Sequence, residues 1–227
     1  MISPRTRLVG LLGHPVSHSL SPQMHNAAFA ECNLDWAYVA CDVAPESFED
    51  EVRRLAAAGF AGANVTAPHK LAAAGLAQTD LASVNTLVFA EGEIRGFSTD
   101  AAVLDGLTAE RPVILGDGGV AVAFRAALPH ARVFARRGEW PPEVGSADLI
   151  VNATSARDEV LVELSPGQTL VDLPYPLTAT GLGARAAGAT VIEGLEVLVA
   201  QGAASFELWT GMPAPVEVMR RAVGLSA

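Results

Sequence analysis

Cysteine is nearly absent from this chain. Cys32 and Cys41 are the only two in 227 residues, and they do not form a CxxC pair. That excludes a cysteine-rich zinc site and a disulfide framework, and predicts two reduced, structural thiols. Basic residues are also scarce. Fifteen Lys and Arg stand against 25 Asp and Glu, a formal net charge of -10. Nucleic-acid binding rests on a Lys/Arg footprint that this composition lacks. An anionic small molecule stays open, because positive potential can be gathered locally on an acidic protein. Long apolar runs are missing as well: Pro, Gly and charged residues interrupt every hydrophobic stretch before it reaches the ~20 residues of a membrane span. Met1–Arg7 leads straight into a strand-like run, without the apolar core and cleavage site of a signal peptide. These absences predict a cytoplasmic protein with no nucleic-acid or membrane partner; monomer and homodimer both stay open.

What is present is a core. Half of the residues are hydrophobic, enough for one large domain or two small ones sharing a cleft. Apolar strand-like runs alternate with alanine-rich helical stretches, the pattern of an α/β fold with a mostly parallel sheet. Strands are predicted at Arg7–Leu12, Trp36–Cys41 and Gly62–Val65, then as a hairpin, Asn85–Phe89 and Glu93–Phe97, around Glu91-Gly92. Ser21-Pro22 and Thr66-Pro68 read as cap-and-start pairs for helices, and Pro45–Ala58 reads as a helix stopped by Gly59. A linking helix is expected near Asp100. A second unit then runs through strands at Pro112–Leu115, Ala131–Phe134, Leu149–Asn152, Leu170–Asp172 and Thr190–Ile192. Helices are expected at Val120–Leu128, Leu195–Trp209 and Val216–Val223. The division this implies is 1–100, 101–193 and 194–227, with the C-terminal helices returning to the N-terminal domain.

Gly116, Gly118 and Ala121 match G-x-G-x-x-A between a strand and a helix. Small residues there permit a tight turn and let backbone N–H groups approach a pyrophosphate at the positive helix end. Gly119 belongs to the same turn. The strand–turn–helix context predicts a dinucleotide site. Arg136 and Arg137 stand about twenty residues after Gly116, where a carboxylate would favour NAD and an arginine favours the 2′-phosphate of NADP. Asp117 places a carboxylate inside the phosphate turn. Between Arg137 and Asp148 there is too little chain for the helix and strand that normally follow, so this Rossmann-type domain is trimmed.

Four segments are more specific. They are Gly13-His14-Pro15-Val16-Ser17-His18-Ser19-Leu20-Ser21-Pro22, Asn64-Val65-Thr66-Ala67-Pro68-His69-Lys70, Val84-Asn85-Thr86-Leu87 and Ser98-Thr99-Asp100. In that order, ahead of a glycine turn, they resemble the shikimate dehydrogenase family. Asn152-Ala153-Thr154-Ser155 resembles the family's cofactor-domain loop, and Val199-Ala200-Gln201-Gly202-Ala203 with Phe206 and Trp209 resembles its C-terminal helix. The resemblance covers nearly the whole chain. It implies an N-terminal α/β substrate domain, an NADP-binding domain holding Asn152 and Thr154 against the cofactor, and reversible reduction of 3-dehydroshikimate to shikimate.

The resemblance assigns Ser19 and Ser21 to the substrate carboxylate, and two hydroxyls at a helix N-terminus suit that charge. It assigns Asn64, Thr66, Asn85 and Gln201 to the ring hydroxyls, with Tyr175 nearby. Read alone, strand-end asparagines are equally turn formers. Lys70 and Asp100 are the implied catalytic pair, moving a proton at the C3 oxygen while the nicotinamide carries the hydride. The bland readings are a surface lysine and a helix-starting aspartate. No metal is expected: His14 and His18 flank Pro15, and coordination needs three or four convergent ligands.

The chain departs from the family on the cofactor side. Ala135-Arg136-Arg137 replaces Asn-Arg-Thr, Glu193-Gly194-Leu195-Glu196 replaces Asp-Gly-Leu-Gly, and Ala101 replaces a glycine. Two alternatives accompany the main expectation: a quinate or broad-range dehydrogenase, and a protein that binds a shikimate-like acid with little turnover.

Overall fold

Strand β1 (Arg7–Gly13) is an interior strand of the first sheet, and its last five residues are all buried, as a strand covered on both faces requires. It pairs in parallel with β2 (Trp36–Asp42) and with β3 (Gly62–Val65). The strands β4 (Thr86–Ala90) and β5 (Glu93–Phe97) continue the sheet antiparallel, in the order β2-β1-β3-β4-β5. Their hairpin turns on Glu91 and Gly92, with φ of 55° and 81°, the paired positive φ of a type I′ turn. Helices α1 (Ser21–Glu31), α2 (Phe48–Ala57) and α3 (Lys70–Leu76) fill the connections. Leu12, Phe48, Val52, Leu55, Val65 and Leu87 form a buried core between α2, α3 and the sheet.

The second sheet is wholly parallel. Its strands are β6 (Pro112–Leu115), β7 (Arg132–Phe134), β8 (Leu149–Asn152), β9 (Thr169–Asp172) and β10 (Thr190–Glu193), in the order β10-β9-β8-β6-β7. Helix α4 (Gly119–Ala127) joins β6 to β7, and α5 (Ala179–Ala186) joins β9 to β10. The strand order reverses at β6, the position where doubly wound sheets bind ligands. The trimming is visible: β7 is an edge strand, and residues 135–148 contain neither helix nor strand. Apolar loop side chains take the place of a covering helix. Val144, Ala147, Leu161, Val162 and Leu164 are buried in one cluster with Phe134, Ile150 and Leu170, and Trp140 packs against it.

Helix α6 (Gly194–Thr210) follows β10, and α7 (Val216–Ala222) packs on α1. The computed structural model describes residues 3–226. It divides into one unit made of the chain up to Thr99 plus that from Val199 onward, and a second made of Asp100–Leu198.

Three expectations need correction. The helix predicted from Pro45 begins as a 3-10 turn over Pro45–Ser47, and α2 starts at Phe48. The linking helix near Asp100 is only a 3-10 turn at Ala102–Leu104, ended before Gly106, whose φ of 80° no helix accepts. Helix α5 is absent from the sequence-based expectation, because Gly181 and Gly183 lower its propensity. The Thr178 side chain caps it by accepting from the Gly181 N–H at 3.1 Å.

Candidate functional site

The loops after β1 and β3 leave the same end of two hydrogen-bonded parallel strands, with Leu12 opposite Val65. Ser19 and Ser21 follow the first strand, and Thr66 and Lys70 the second. Ser19 is half-buried and Ser21 is buried. The expected capping is reversed: Leu20 occupies the N-cap without a side-chain bond, and Ser21 is the first helical residue. Ser19 instead accepts the Ser21 backbone N–H at 3.2 Å, because proline in the first turn leaves few N–H groups to be capped. Asp42, at the end of β2, steadies the loop by accepting from Val16 N at 3.4 Å and bonding His14 at 2.5 Å. That His14 hydrogen bond holds the Asp42 carboxyl below its usual range.

Thr66 is half-buried and donates its backbone N–H to the Leu12 carbonyl at 2.8 Å. The helix expected from Pro68 starts two residues later, at Lys70. His69 is its N-cap residue, with the ring turned inward to bond the Val43 carbonyl at 2.7 Å and to stack on Phe48 at 4.5 Å. Lys70 is half-buried and is the sole lysine of the chain.

Asn64, Asn85 and Gln201 are brought together in one polar network under this end of the sheet. Asn64 is 4% exposed. Its oxygen accepts from the Tyr38 hydroxyl at 2.8 Å, and its amide nitrogen lies 3.0–3.1 Å from Asn85 O, Thr86 Oγ1 and Ser205 Oγ. Asn85, also buried, accepts from the Thr99 backbone N–H at 2.7 Å and donates to Thr99 Oγ1 at 2.9 Å and Gln201 Oε1 at 3.3 Å. Thr86, Thr99 and Ser205 place three hydroxyls within 2.8–3.3 Å of one another. Beside the network, His25 is fully buried, stacked on Tyr38 at 4.6 Å and tilted against Trp209 at 5.3 Å. Neither ring nitrogen has a hydrogen-bond partner, and burial pushes its pKa down to about 3.

In the second unit, Gly116 ends β6 with φ of 113°, and a Cβ there would lie 2.9 Å from the Ala153 carbonyl oxygen. Only glycine allows that approach. Gly118 is the N-cap of α4, Gly119 its first residue, and no side chain caps it. Ala121 is buried at 3% exposure. A pyrophosphate fits this turn, where small residues and a helix start meet at the strand reversal. Asp117 is exposed. Arg136 and Arg137 are exposed in the turn after β7. Arg136 pairs with Glu159 and lies 5.4 Å over the Trp140 ring. Asn152 is completely buried, donating to Asp172 at 2.7 Å and accepting from the Thr154 hydroxyl at 2.8 Å. Tyr175 is half-buried, with its carbonyl bound by Arg157 at 2.9 Å. Asp100 is buried, at 6% exposure.

The substrate binding domain of shikimate dehydrogenase matches residues 11–86, and the Shikimate 5′-dehydrogenase C-terminal domain matches residues 194–223. The shikimate dehydrogenase (NADP(+)) of Methanopyrus kandleri is 40% identical, over 98% of this chain and 96% of that protein. The chain belongs to the shikimate dehydrogenase family. Among solved structures, the shikimate dehydrogenase of Aquifex aeolicus has a TM-score of 0.90 at 29% identity, covering 99% of this chain and 100% of its own. The shikimate 5-dehydrogenase of Thermus thermophilus, solved with NADP(H) and shikimate, has a TM-score of 0.85 at 31% identity, covering 96% and 98%. The alignment to the M. kandleri relative runs over 279 positions for a chain of 227 residues, so this family member lacks segments that its relative carries.

Sequence reasoning missed Tyr38, Thr86, Thr99 and Ser205. The available signals were the places of Thr86 and Thr99 inside two of the quoted segments, and of Ser205 as the first hydroxyl in α6, one turn after Gln201. Among the described residues, no group of three or more His, Cys, Asp and Glu is placed to hold a metal, and no helix is long and apolar enough to cross a membrane.

Proposed function

We propose that this chain is an NADP-dependent shikimate dehydrogenase, which reversibly reduces 3-dehydroshikimate to shikimate in aromatic amino-acid synthesis. The observation that carries the reading is the arrangement of the family motifs at one end of the first sheet: Ser19, Ser21, Thr66 and Lys70 follow two paired parallel strands, above a network containing Asn64, Asn85 and Gln201.

Ser19 and Ser21, at the start of α1, hold the substrate carboxylate with their hydroxyls and the positive helix end. Thr66, Asn64, Asn85 and Gln201 read the ring hydroxyls, and the family resemblance assigns Tyr175 to the same substrate. Lys70 and Asp100 hold and move the proton at the C3 oxygen. Bound NADP supplies or accepts the hydride at C3. Gly116, Gly118, Gly119 and Ala121 cradle its pyrophosphate, Arg136 and Arg137 its 2′-phosphate, and Asn152 and Thr154 shape the loop beside it. The enzyme works in the cytoplasm, a reading supported by two free thiols.

Product analysis tests the proposal. Purified protein given shikimate and NADP(+) should form NADPH in step with 3-dehydroshikimate. Saturable shikimate binding with no NADPH formed would leave a binding protein instead, and preferential oxidation of quinate would reassign the substrate.

A further inference from the structure

We infer that Ser205 is a positioning residue for this reaction, its buried hydroxyl locking Gln201 and the Thr99–Asp100 turn into the geometry the substrate needs. The inference rests on the dehydrogenase reading above.

Ser205 lies in α6, in the run Ala203-Ala204-Ser205-Phe206, and is 0% exposed. Alanine would be the favoured residue at such a position on helix propensity alone, and a buried hydroxyl without a partner costs free energy. This one has four polar atoms around it: the Gln201 carbonyl at 2.9 Å, Thr86 Oγ1 at 2.8 Å, Thr99 Oγ1 at 3.1 Å and Asn64 Nδ2 at 3.0 Å. A serine has one proton and two lone pairs. Its proton goes to the Gln201 carbonyl, which leaves two lone pairs: one for the Asn64 amide, which can only donate, and one shared between the Thr86 and Thr99 hydroxyls.

The result is a closed ring. Asn85 donates to Thr99 Oγ1 and to Gln201 Oε1, Thr99 meets Ser205, and Ser205 returns to the Gln201 backbone. Two members of this ring, Asn85 and Gln201, are the proposed readers of the substrate ring. A third, Thr99, has its backbone N–H fixed by Asn85 and is followed directly by Asp100. Ser205 is one of the points where α6 is tied to the first sheet, reaching Asn64 of β3, Thr86 of β4 and Thr99 after β5. Removing its oxygen opens the ring while leaving Thr86 and Thr99 within 3.3 Å of each other and Asn64 within 3.1 Å of Thr86. The fold therefore keeps satisfied partners, and what is lost is the register of Gln201 against Thr99.

The test is steady-state kinetics of Ser205→Ala against wild type, with thermal unfolding of both. The inference predicts a KM for shikimate raised about fivefold to tenfold, a lower kcat, and a KM for NADP(+) unchanged. Thr99→Val should produce the same pattern, and the double variant should fall short of the product of the two single effects. A Ser205→Ala enzyme with wild-type constants overturns the inference. So does a lower melting temperature and lower kcat with both KM values unchanged, the mark of a purely structural role. Should Ser205→Ala not fold, Thr99→Val alone decides by the same KM split. A wild-type protein that fails to oxidise shikimate removes the functional reading and this inference together, an outcome distinct from an active wild type with an unaffected variant.

Discussion

Lys70, the proposed proton carrier, is the only lysine in the chain. Amine-directed chemistry therefore reports on this one side chain and the chain's N-terminus. Shikimate should protect Lys70 from acetylation, read by mass spectrometry, and equal labelling with and without shikimate would count against its placement at the substrate. If it moves the proton at C3, Lys70→Ala should lower kcat about 10²-fold or more with only a small change in shikimate affinity. A variant near the wild-type rate would remove Lys70 from the chemistry. His25 makes a separate prediction. Its pKa falls from the usual 6.5 to about 3 through burial, so the folded state keeps the ring neutral while the unfolded chain takes up a proton below about pH 6.5. Stability contributed by the neutral ring is intact above that value and declines as pH falls. Going from about pH 7 to about pH 5 should cost about 2 kcal/mol through this group. Urea unfolding at the two pH values measures it, and His25→Phe should flatten the dependence. An equal pH slope in the variant would show that other groups carry it.

At the scale of elements, the Trp209 contact between α6 and the first sheet depends on one small residue, Gly62. Trp209 donates its indole N–H to the Leu87 carbonyl at 2.9 Å, and a Cβ on Gly62 would lie 2.2 Å from that same oxygen. Gly62→Ala should therefore destabilise the protein by about 2 kcal/mol or more, since the obstacle is backbone within the sheet. Denaturant unfolding would show it, and a change below about 0.5 kcal/mol would contradict this packing. The trimmed second sheet makes the other prediction at this scale. Arg136 is held by Glu159 and Trp140, while Arg137 sits exposed beside it. An exposed ion pair is worth at most about 1 kcal/mol, so in the proposed site a 2′-phosphate would displace Glu159 from Arg136 and meet Arg137 as well. Arg137→Ala should weaken binding of 2′,5′-ADP about tenfold and leave 5′-AMP unchanged. Equal losses for the two nucleotides would place Arg137 away from the 2′-phosphate.

For the molecule as a whole, the strands were legible because their apolar runs are bounded by glycine, proline and polar residues. Gly62–Val65 and Leu149–Asn152 match residue for residue. What escaped was set by tertiary contacts. Helix α5 carries two glycines and exists by its Thr178 cap and its place against the sheet. Helix α3 starts at Lys70, after the inward-turned His69, and at α1 the N-cap is Leu20 while Ser19 accepts from the Ser21 N–H. The candidate site was legible as a set of motifs. The partners of Asn64 and Asn85 were not, because Thr86, Thr99 and Ser205 look like ordinary small polar residues until the sheet and α6 meet. The shortening of the cofactor frame is legible in the gap after Arg137, and loops carrying Trp140, Val144 and Leu161 cover the face a helix would have covered.

The central claim is that this shortened frame still serves an NADP-dependent shikimate dehydrogenase. The measurement that tests it most directly is kcat/KM for shikimate oxidation by the intact chain with NADP(+) and with NAD(+). The account predicts turnover with both pyridine nucleotides offered and a preference for NADP(+) of about tenfold or more, the contribution of the arginines at the end of β7. No turnover with either, or a rate with NAD(+) equal to or above that with NADP(+), would contradict it.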